Sequence, residues 1–340
     1  RELGIQRLAW GALIGSLLHL LVQLPDLLRQ GGRYTLTLGR GIAEVREVIT
    51  LMGPRILGVA IVQLNFIVNT IIALSLPAGS VSAISLAFTW MLMPQVAIAQ
   101  SVAVAAMPTF SAQAALGKLD ELRTSLAGSL RGVLLLALPA TLGLVLLRTP
   151  LIRLLYEGGS FTAQSTQMVA WALLWYALGL VGHSLLEVIV RAFYALHDTR
   201  TPVMVGVLAM SLNVAFSFVF ARLFSVWGWM PHGGLALANT LATLLEMSIL
   251  ILLLRRRLGG LGGTSVPRAL LQGGLGTLAM ALVLLSWLAL TAAQGEALRL
   301  VGGAVLGVAI YAAVMLALRV PEIRSVLLAL RARFEKKPVH

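Results

Sequence analysis

The sequence predicts an all-α protein, a bundle of about nine membrane-spanning helices. Hydrophobic residues make up 59% of the chain and charged residues 11%, whereas a soluble domain carries about a quarter charged residues. The mean hydropathy is +0.92. Apolar runs recur along the chain, and about 20 apolar residues suffice for a helix to cross a hydrocarbon core of roughly 30 Å. One such run could be an anchor, but a succession of them predicts a bundle.

The spans follow from apolar runs that are bounded by charged residues, Gly and Pro. The first run, from Leu8 to Leu24, has neither a basic region before it nor a small-residue cleavage site after it, which favours a span over a signal peptide. The nine predicted spans are 4–24, 52–76, 81–107, 127–147, 164–190, 202–224, 234–254, 268–292 and 298–318.

Basic residues lie in the connectors between these runs. Alternate connectors and the tail hold 20 of the 26 Lys and Arg residues, and the opposite side holds six. The positive-inside rule therefore predicts a cytoplasmic carboxy terminus. Because the net charge of +13 is spread over connectors, we do not expect nucleic acid to be a partner. The basic tail either binds anionic lipid or is merely solvated.

Polar residues within spans point to a cavity, since such side chains are costly at membrane depth. In the second span, Gln63, Asn65 and Asn69 are expected either to line a cavity or to hold helices together. Arg55 is the candidate cation of this region, although it lies near the cytoplasmic end and could extend to the interface.

The third span has a proline in its middle. Pro94 lacks a backbone donor and should kink the helix, and Thr89 and Gln95 flank it. Kinked helices in transporters often line a cavity or a hinge. A purely structural proline is the alternative, and both interpretations stay open.

A charged series ends the fifth span. His183, Glu187 and Arg191 recur at i, i+4 and i+8, so we expect them to share a helical face. They form either a proton relay or a local ion pair that neutralises the helix end. In the turn that follows, Asp198 is expected to cap the next helix and Pro202 to lie in its first turn.

Oxygen-bearing side chains in later spans suggest a cation site of low affinity, with no second convergent carboxylate to support it. Its candidates are Asn69, Asn213, Ser217, Asn239 and Thr240. The chain has no cysteine, which excludes thiolate metal sites and a cysteine nucleophile. It has no HExxH, GxSxG or P-loop motif, so we expect neither an enzyme nor a cofactor. Coupling to a monovalent cation or to the membrane potential stays open.

Several motifs together resemble one family. The run LMGPRILGVAIVQLNFIVNT and the pieces AGSVSAI, MPTFSAQ, LLYEGGSFTAQST and RAFYALHDTRTPV occur in the expected order. The chain resembles the MurJ/MviN family of lipid II flippases, of the MOP exporter superfamily, over nearly its whole length. RAFYALHDTRTP and LLYEGGSFT are the most specific matches.

The resemblance implies a division of the chain into four parts. Residues 1–50 would hold the last helix of an amino-terminal lobe and a cytoplasmic amphipathic linker, and residues 51–258 the carboxy-terminal six-helix lobe. Residues 259–320 would be two additional helices, and 321–340 a basic cytoplasmic tail. The first five helices of the family would be missing, and their lobe would be required.

The resemblance also implies a function: moving lipid-linked peptidoglycan precursor across a bacterial plasma membrane by alternating access, for cell-wall synthesis. Many members have an arginine five residues before the proline of the eighth helix, where this chain has Thr89 before Pro94. Two alternatives therefore stay open. One is a non-transporting scaffold for cell-wall synthesis proteins, and the other is a drug or polysaccharide exporter of the same superfamily.

Overall fold

The computed structural model describes residues 2–29, 60, 63–261, 263 and 265–321. The chain divides into two compact units, Arg1–Ile56 and Leu57–His340. Within the described residues the structure is helical throughout, and its one extended pairing is an isolated bridge between Gly158 and Phe161. The prediction of an all-α polytopic bundle is confirmed.

The first unit contains one described helix, α1 (Glu2–Arg29). It includes the predicted span 4–24, and Pro25 lies inside it near its end. The rest of the predicted linker, residues 30–50, and the predicted basic tail from 322 to 340 lie outside the described residues.

The second unit contains the other helices. Those long and apolar enough to cross a membrane number six among the described residues, and seven if the bent pair α6 and α7 counts as one span. In chain order they are α2 (Gln63–Leu74), α3 (Ser80–Gln95), a π-helical turn (Val96–Gln100), α4 (Ser101–Ala115), α5 (Leu119–Tyr156), α6 (Ala163–Leu178), α7 (Leu180–Ala195), α8 (Arg200–Val226), α9 (His232–Leu258), α10 (Ser265–Leu290), a second π-helical turn (Leu298–Gly302) and α11 (Gly303–Ala317).

Pro94 disturbs its helix as a proline should. A π-helical turn, Val96–Gln100, begins two residues after it, and helix continues on both sides to make a single 36-residue span from Ser80 to Ala115. A proline cannot donate a backbone hydrogen bond, so the ladder is readjusted at this point rather than interrupted.

The span predicted at 164–190 is two helices bent by 45° at Gly179. A Cβ on Gly179 would lie 2.6 Å from Oγ1 of Thr240 on α9, so only glycine permits this approach. The hydroxyl of Thr240 donates to the backbone oxygen of Trp175 at 2.7 Å. Because α7 starts directly after the bend, its direction is set by contact with α9.

The turn between α7 and α8 has the predicted cap. One carboxylate oxygen of Asp198 accepts from the backbone N–H of Thr201 at 3.0 Å, and the other accepts from the Thr201 hydroxyl at 2.7 Å. Arg257 at the end of α9 forms an ion pair with Asp198. Burial raises the pKa of Asp198, but the hydrogen bonds from Thr201 and Arg257 outweigh it and hold the pKa below its usual value. The capping group therefore stays ionised.

The core of the second unit lies in apolar clusters between neighbouring helices. The largest joins α4, α5, α7 and α9, and a second joins α3, α5, α6 and α9. The α10–α11 hairpin packs on α5, where the hydroxyl of Tyr311 donates to the backbone oxygen of Leu135 at 2.5 Å. A further small cluster, Ile72, Ala73, Ala221 and Leu235, joins α2 to α8 and α9. These contacts place α2, α3 and α6–α9 around a common space.

Candidate functional site

A cavity of about 600 Å³ lies among α2, α3, α6, α7, α8 and α9. Polar and aromatic side chains make up most of its wall. Those with polar groups are Asn65, Asn69, Thr70, Ser85, Thr89, Tyr176, His183, Asn213, Asn239, Thr243 and Glu246. This size lies within the range of sites for small organic molecules, roughly 300–1,000 Å³.

An asparagine network forms the wall where α2 meets α8. The Oδ1 of Asn213 accepts from the Nδ2 atoms of Asn65 at 3.1 Å and Asn69 at 2.8 Å. The Oδ1 of Asn69 accepts from the hydroxyl of Ser217 at 2.8 Å, and Asn65 also donates to the backbone oxygen of Met210 at 3.0 Å. Asn213 and Ser217 are buried. The network therefore joins two helices as well as lining the cavity.

His183 bonds to α9 on another wall. Its Nε2 lies 3.1 Å from Oδ1 of Asn239 and 3.2 Å from the hydroxyl of Thr243. The bend at Gly179, one turn earlier, directs this part of α7 toward α9. His183 does not form an ion pair with Glu187; the bonds given for its ring nitrogen are to neutral side chains.

Three aromatic rings form a series along α2, α3 and α6. The rings of Phe66 and Phe88 are 6.0 Å apart, and those of Phe88 and Tyr176 are 5.3 Å apart, both edge to face. All three side chains line the cavity. Sequence reasoning missed this wall, because aromatic residues on three separate helices give no local pattern.

Glu246 on α9 is the one acidic group that lines the cavity, and no Lys or Arg lines it among the described residues. Asn239, Thr243 and Glu246 recur at i, i+4 and i+7, which places them on one face of α9. This spacing is a signal that could have added Thr243 and Glu246 to the sequence-based candidates.

Several predicted candidates lie elsewhere. Gln63 is exposed and is not part of the cavity wall, since it precedes Asn65 by two residues and so points to the opposite side of α2. Pro94 and Gln95 are also outside the wall; the buried Oε1 of Gln95 has no hydrogen-bond partner among the described residues. Thr89 does line the cavity, and its hydroxyl donates to the Ser85 backbone oxygen at 2.9 Å. Arg55 lies outside the described residues.

Glu187 and Arg191 form an ion pair at 2.5 Å, away from the cavity wall. Of the two interpretations of the His183 series, the geometry favours the local pair for these two residues. His183 is separated from them because positions four apart on a helix are rotated by about 40°.

The candidates for a cation site do not converge. Asn69, Asn213 and Ser217 share the asparagine network, whereas Asn239 bonds His183 and Thr240 bonds Trp175. Asn239 and Thr240 are consecutive and so point about 100° apart. No group of three His, Cys, Asp or Glu side chains that could hold a metal ion occurs in the described part of the chain.

Comparison with known proteins identifies similar sequences. The family model for the lipid II flippase MurJ matches residues 2–306. A probable lipid II flippase MurJ of Vibrio cholerae is 29% identical over 92% of this chain and 60% of the relative. One of Bdellovibrio bacteriovorus is 31% identical over 86% of this chain and 55% of the relative. The chain thus spans little more than half the length of these curated relatives.

Solved structures with a similar fold support the bundle assignment. A lipid II flippase MurJ in an inward closed conformation matches with a TM-score of 0.72 at 23% identity, over 90% of this chain and 60% of that one. An outward-facing MATE family transporter of the MOP superfamily matches with a TM-score of 0.51 at 16% identity, over 83% and 67%. At these identities the likeness is evidence for the fold.

Proposed function

Because the chain belongs to the MurJ family of lipid II flippases, we propose that it is the carboxy-terminal part of a transporter for lipid-linked peptidoglycan precursor. The observation that carries the proposal is the family match over residues 2–306. The transporter would move the precursor from the inner to the outer leaflet of a bacterial plasma membrane by alternating access, and so supply cell-wall synthesis. This family consists of transporters rather than catalytic enzymes.

The charge of the cavity bears on how the work is divided. A lipid pyrophosphate leaves water at a lower cost when guanidinium or ammonium groups replace its hydration. The described cavity wall offers no such group. The proposal therefore assigns the pyrophosphate contacts to Arg55 and to an amino-terminal lobe equivalent to the rest of the relatives' length.

Transport by reconstituted protein tests the proposal. The 340-residue chain alone is expected not to translocate fluorescent lipid II in proteoliposomes, because the cations for the pyrophosphate are incomplete. A version completed with the amino-terminal lobe is expected to translocate it and to rescue cells depleted of their flippase. Failure of the completed, folded protein in both assays would overturn the proposal. Rescue without translocation would favour the scaffold alternative.

Orientation is a separate part of the proposal. The excess of basic connectors on one side predicts a cytoplasmic carboxy terminus. The natural chain has no cysteine, so single cysteines report topology directly. In intact spheroplasts, an impermeant maleimide is expected to label Gln294→Cys in the α10–α11 loop but not Lys118→Cys in the α4–α5 turn; both positions are exposed. The reverse pattern would refute the orientation.

A further inference from the structure

Glu246 differs from the other acidic side chains that the structure describes. Each of the others, namely Asp120, Glu121, Glu157, Glu187, Asp198 and Glu296, lies within 4 Å of a basic group in an ion pair. Glu246 has no such partner, although it lies near the middle of α9 and is only partly exposed. An unpaired carboxylate at membrane depth is costly and usually serves a function.

The groups that face Glu246 across the cavity are neutral polar or apolar, apart from one histidine. On α9 they are Asn239 and Thr243, and on α7 they are His183 and Leu186. On α8 the backbone comes close, since a Cβ added to Gly206 would lie 3.2 Å from Oε1 of Glu246. With His183 neutral, the described wall therefore carries a single negative charge.

A bare metal ion is a poor match for this wall. Metal ions such as Na⁺ or Ca²⁺ need several free oxygen atoms at one point. The amide oxygens here already accept hydrogen bonds: that of Asn213 from two asparagines, that of Asn69 from Ser217, and that of Asn239 from His183. The cavity, at about 600 Å³, is also far larger than one ion requires.

An organic cation fits both the charge and the shape. The series of Phe66, Phe88 and Tyr176 lines the same cavity as Glu246. Aromatic faces attract ammonium groups, and more strongly when water is excluded. We propose that this cavity is a binding site for an organic monocation, with Glu246 as the counterion and the three aromatic rings as the apolar wall. The proposal does not depend on lipid II transport.

Equilibrium dialysis of radiolabelled tetraphenylphosphonium against the purified, detergent-solubilised chain in potassium buffer tests this site. Glu246→Gln is expected to bind at least about tenfold more weakly, since it removes one partner of a partly buried charge pair. The matched control is Glu121→Gln, an exposed carboxylate in the α5 first turn that pairs with Lys118. It is expected to bind as the natural chain does.

Two further variants keep the test informative if Glu246→Gln unfolds. Glu246→Asp retains the charge and is expected to bind with intermediate affinity. Thr89→Arg brings a positive charge into the cavity and is expected to weaken binding at least about tenfold. Thermal unfolding of each variant checks that it is folded.

Three outcomes would overturn the proposal. One is unchanged binding by folded Glu246→Gln and Thr89→Arg; another is an equal loss in Glu121→Gln, which would trace the signal to the micelle or to general instability. The third is retention of ²²Na⁺ in a Glu246-dependent way without binding of tetraphenylphosphonium. Because none of these outcomes concerns lipid II translocation, this proposal and the transport proposal can fail separately.

Discussion

Gly234→Ala is expected to lower the free energy of unfolding by about 3 kcal/mol, at the upper end of the usual cost of overpacking. A Cβ at this position of α9 would lie 2.5 Å from the carbonyl carbon of Phe220 and 2.7 Å from the backbone nitrogen of Ala221. Both are backbone atoms of α8, which cannot rotate away as a side chain could. The two helices would have to separate, and the apolar contacts around Ala221 and Leu235 would loosen with them.

Thermal unfolding of the purified protein in detergent measures this effect. Gly132→Ala on α5 is the matched control, because no atom outside its own helix backbone lies within 4 Å of its added Cβ. That control should unfold at the same temperature or slightly higher, since alanine is the better helix former by about 1 kcal/mol. Equal midpoints for the two variants would show that α8 and α9 do not meet at Gly234.

Much of the fold was predictable because its elements are long and apolar. The described helices α3 to α11 cover the predicted spans from the third onward, and the cap at Asp198 lies where the sequence placed it. The bend at Gly179 was not predicted. Residues 164–190 form a nearly continuous apolar run, and a single glycine in such a run is usually tolerated within a straight helix. What bends this helix is its contact with Thr240 of α9, which a local pattern cannot reveal.

The candidate site was only partly predictable, for a geometric reason. Sequence reasoning grouped polar residues that are close in number, whereas each residue of a helix is rotated by about 100° from the last. Asn65 and Asn69 therefore share the cavity wall while Gln63 does not, and Asn239 faces the cavity while Thr240 bonds Trp175. Residues that belong together, such as Asn69 and Ser217, come from helices far apart in the chain.

The asparagine network yields the second large effect. In Asn213→Leu, the Nδ2 atoms of Asn65 and Asn69 lose the acceptor that they share across the α2–α8 contact. We expect the free energy of unfolding to fall by about 1–3 kcal/mol, the usual cost when buried donors lose their partner. Hydrogen bonds between helices in a membrane average nearer 0.6 kcal/mol each, which places a change of about 1 kcal/mol at the lower limit.

Two measurements test the role of the network. Ser211→Ala is the matched control on α8, because the exposed Ser211 hydroxyl bonds only within its own helix, to the backbone oxygen of Val207; it should unfold as the natural protein does. In the cysteine-free chain, a reporter Thr70→Cys on the cavity wall should react faster with a maleimide when Asn213→Leu is also present, because α2 is held less firmly. If Asn213→Leu and Ser211→Ala have equal unfolding midpoints and equal reporter reactivity, the network does not hold α2 against α8. Its asparagines would then serve the cavity alone.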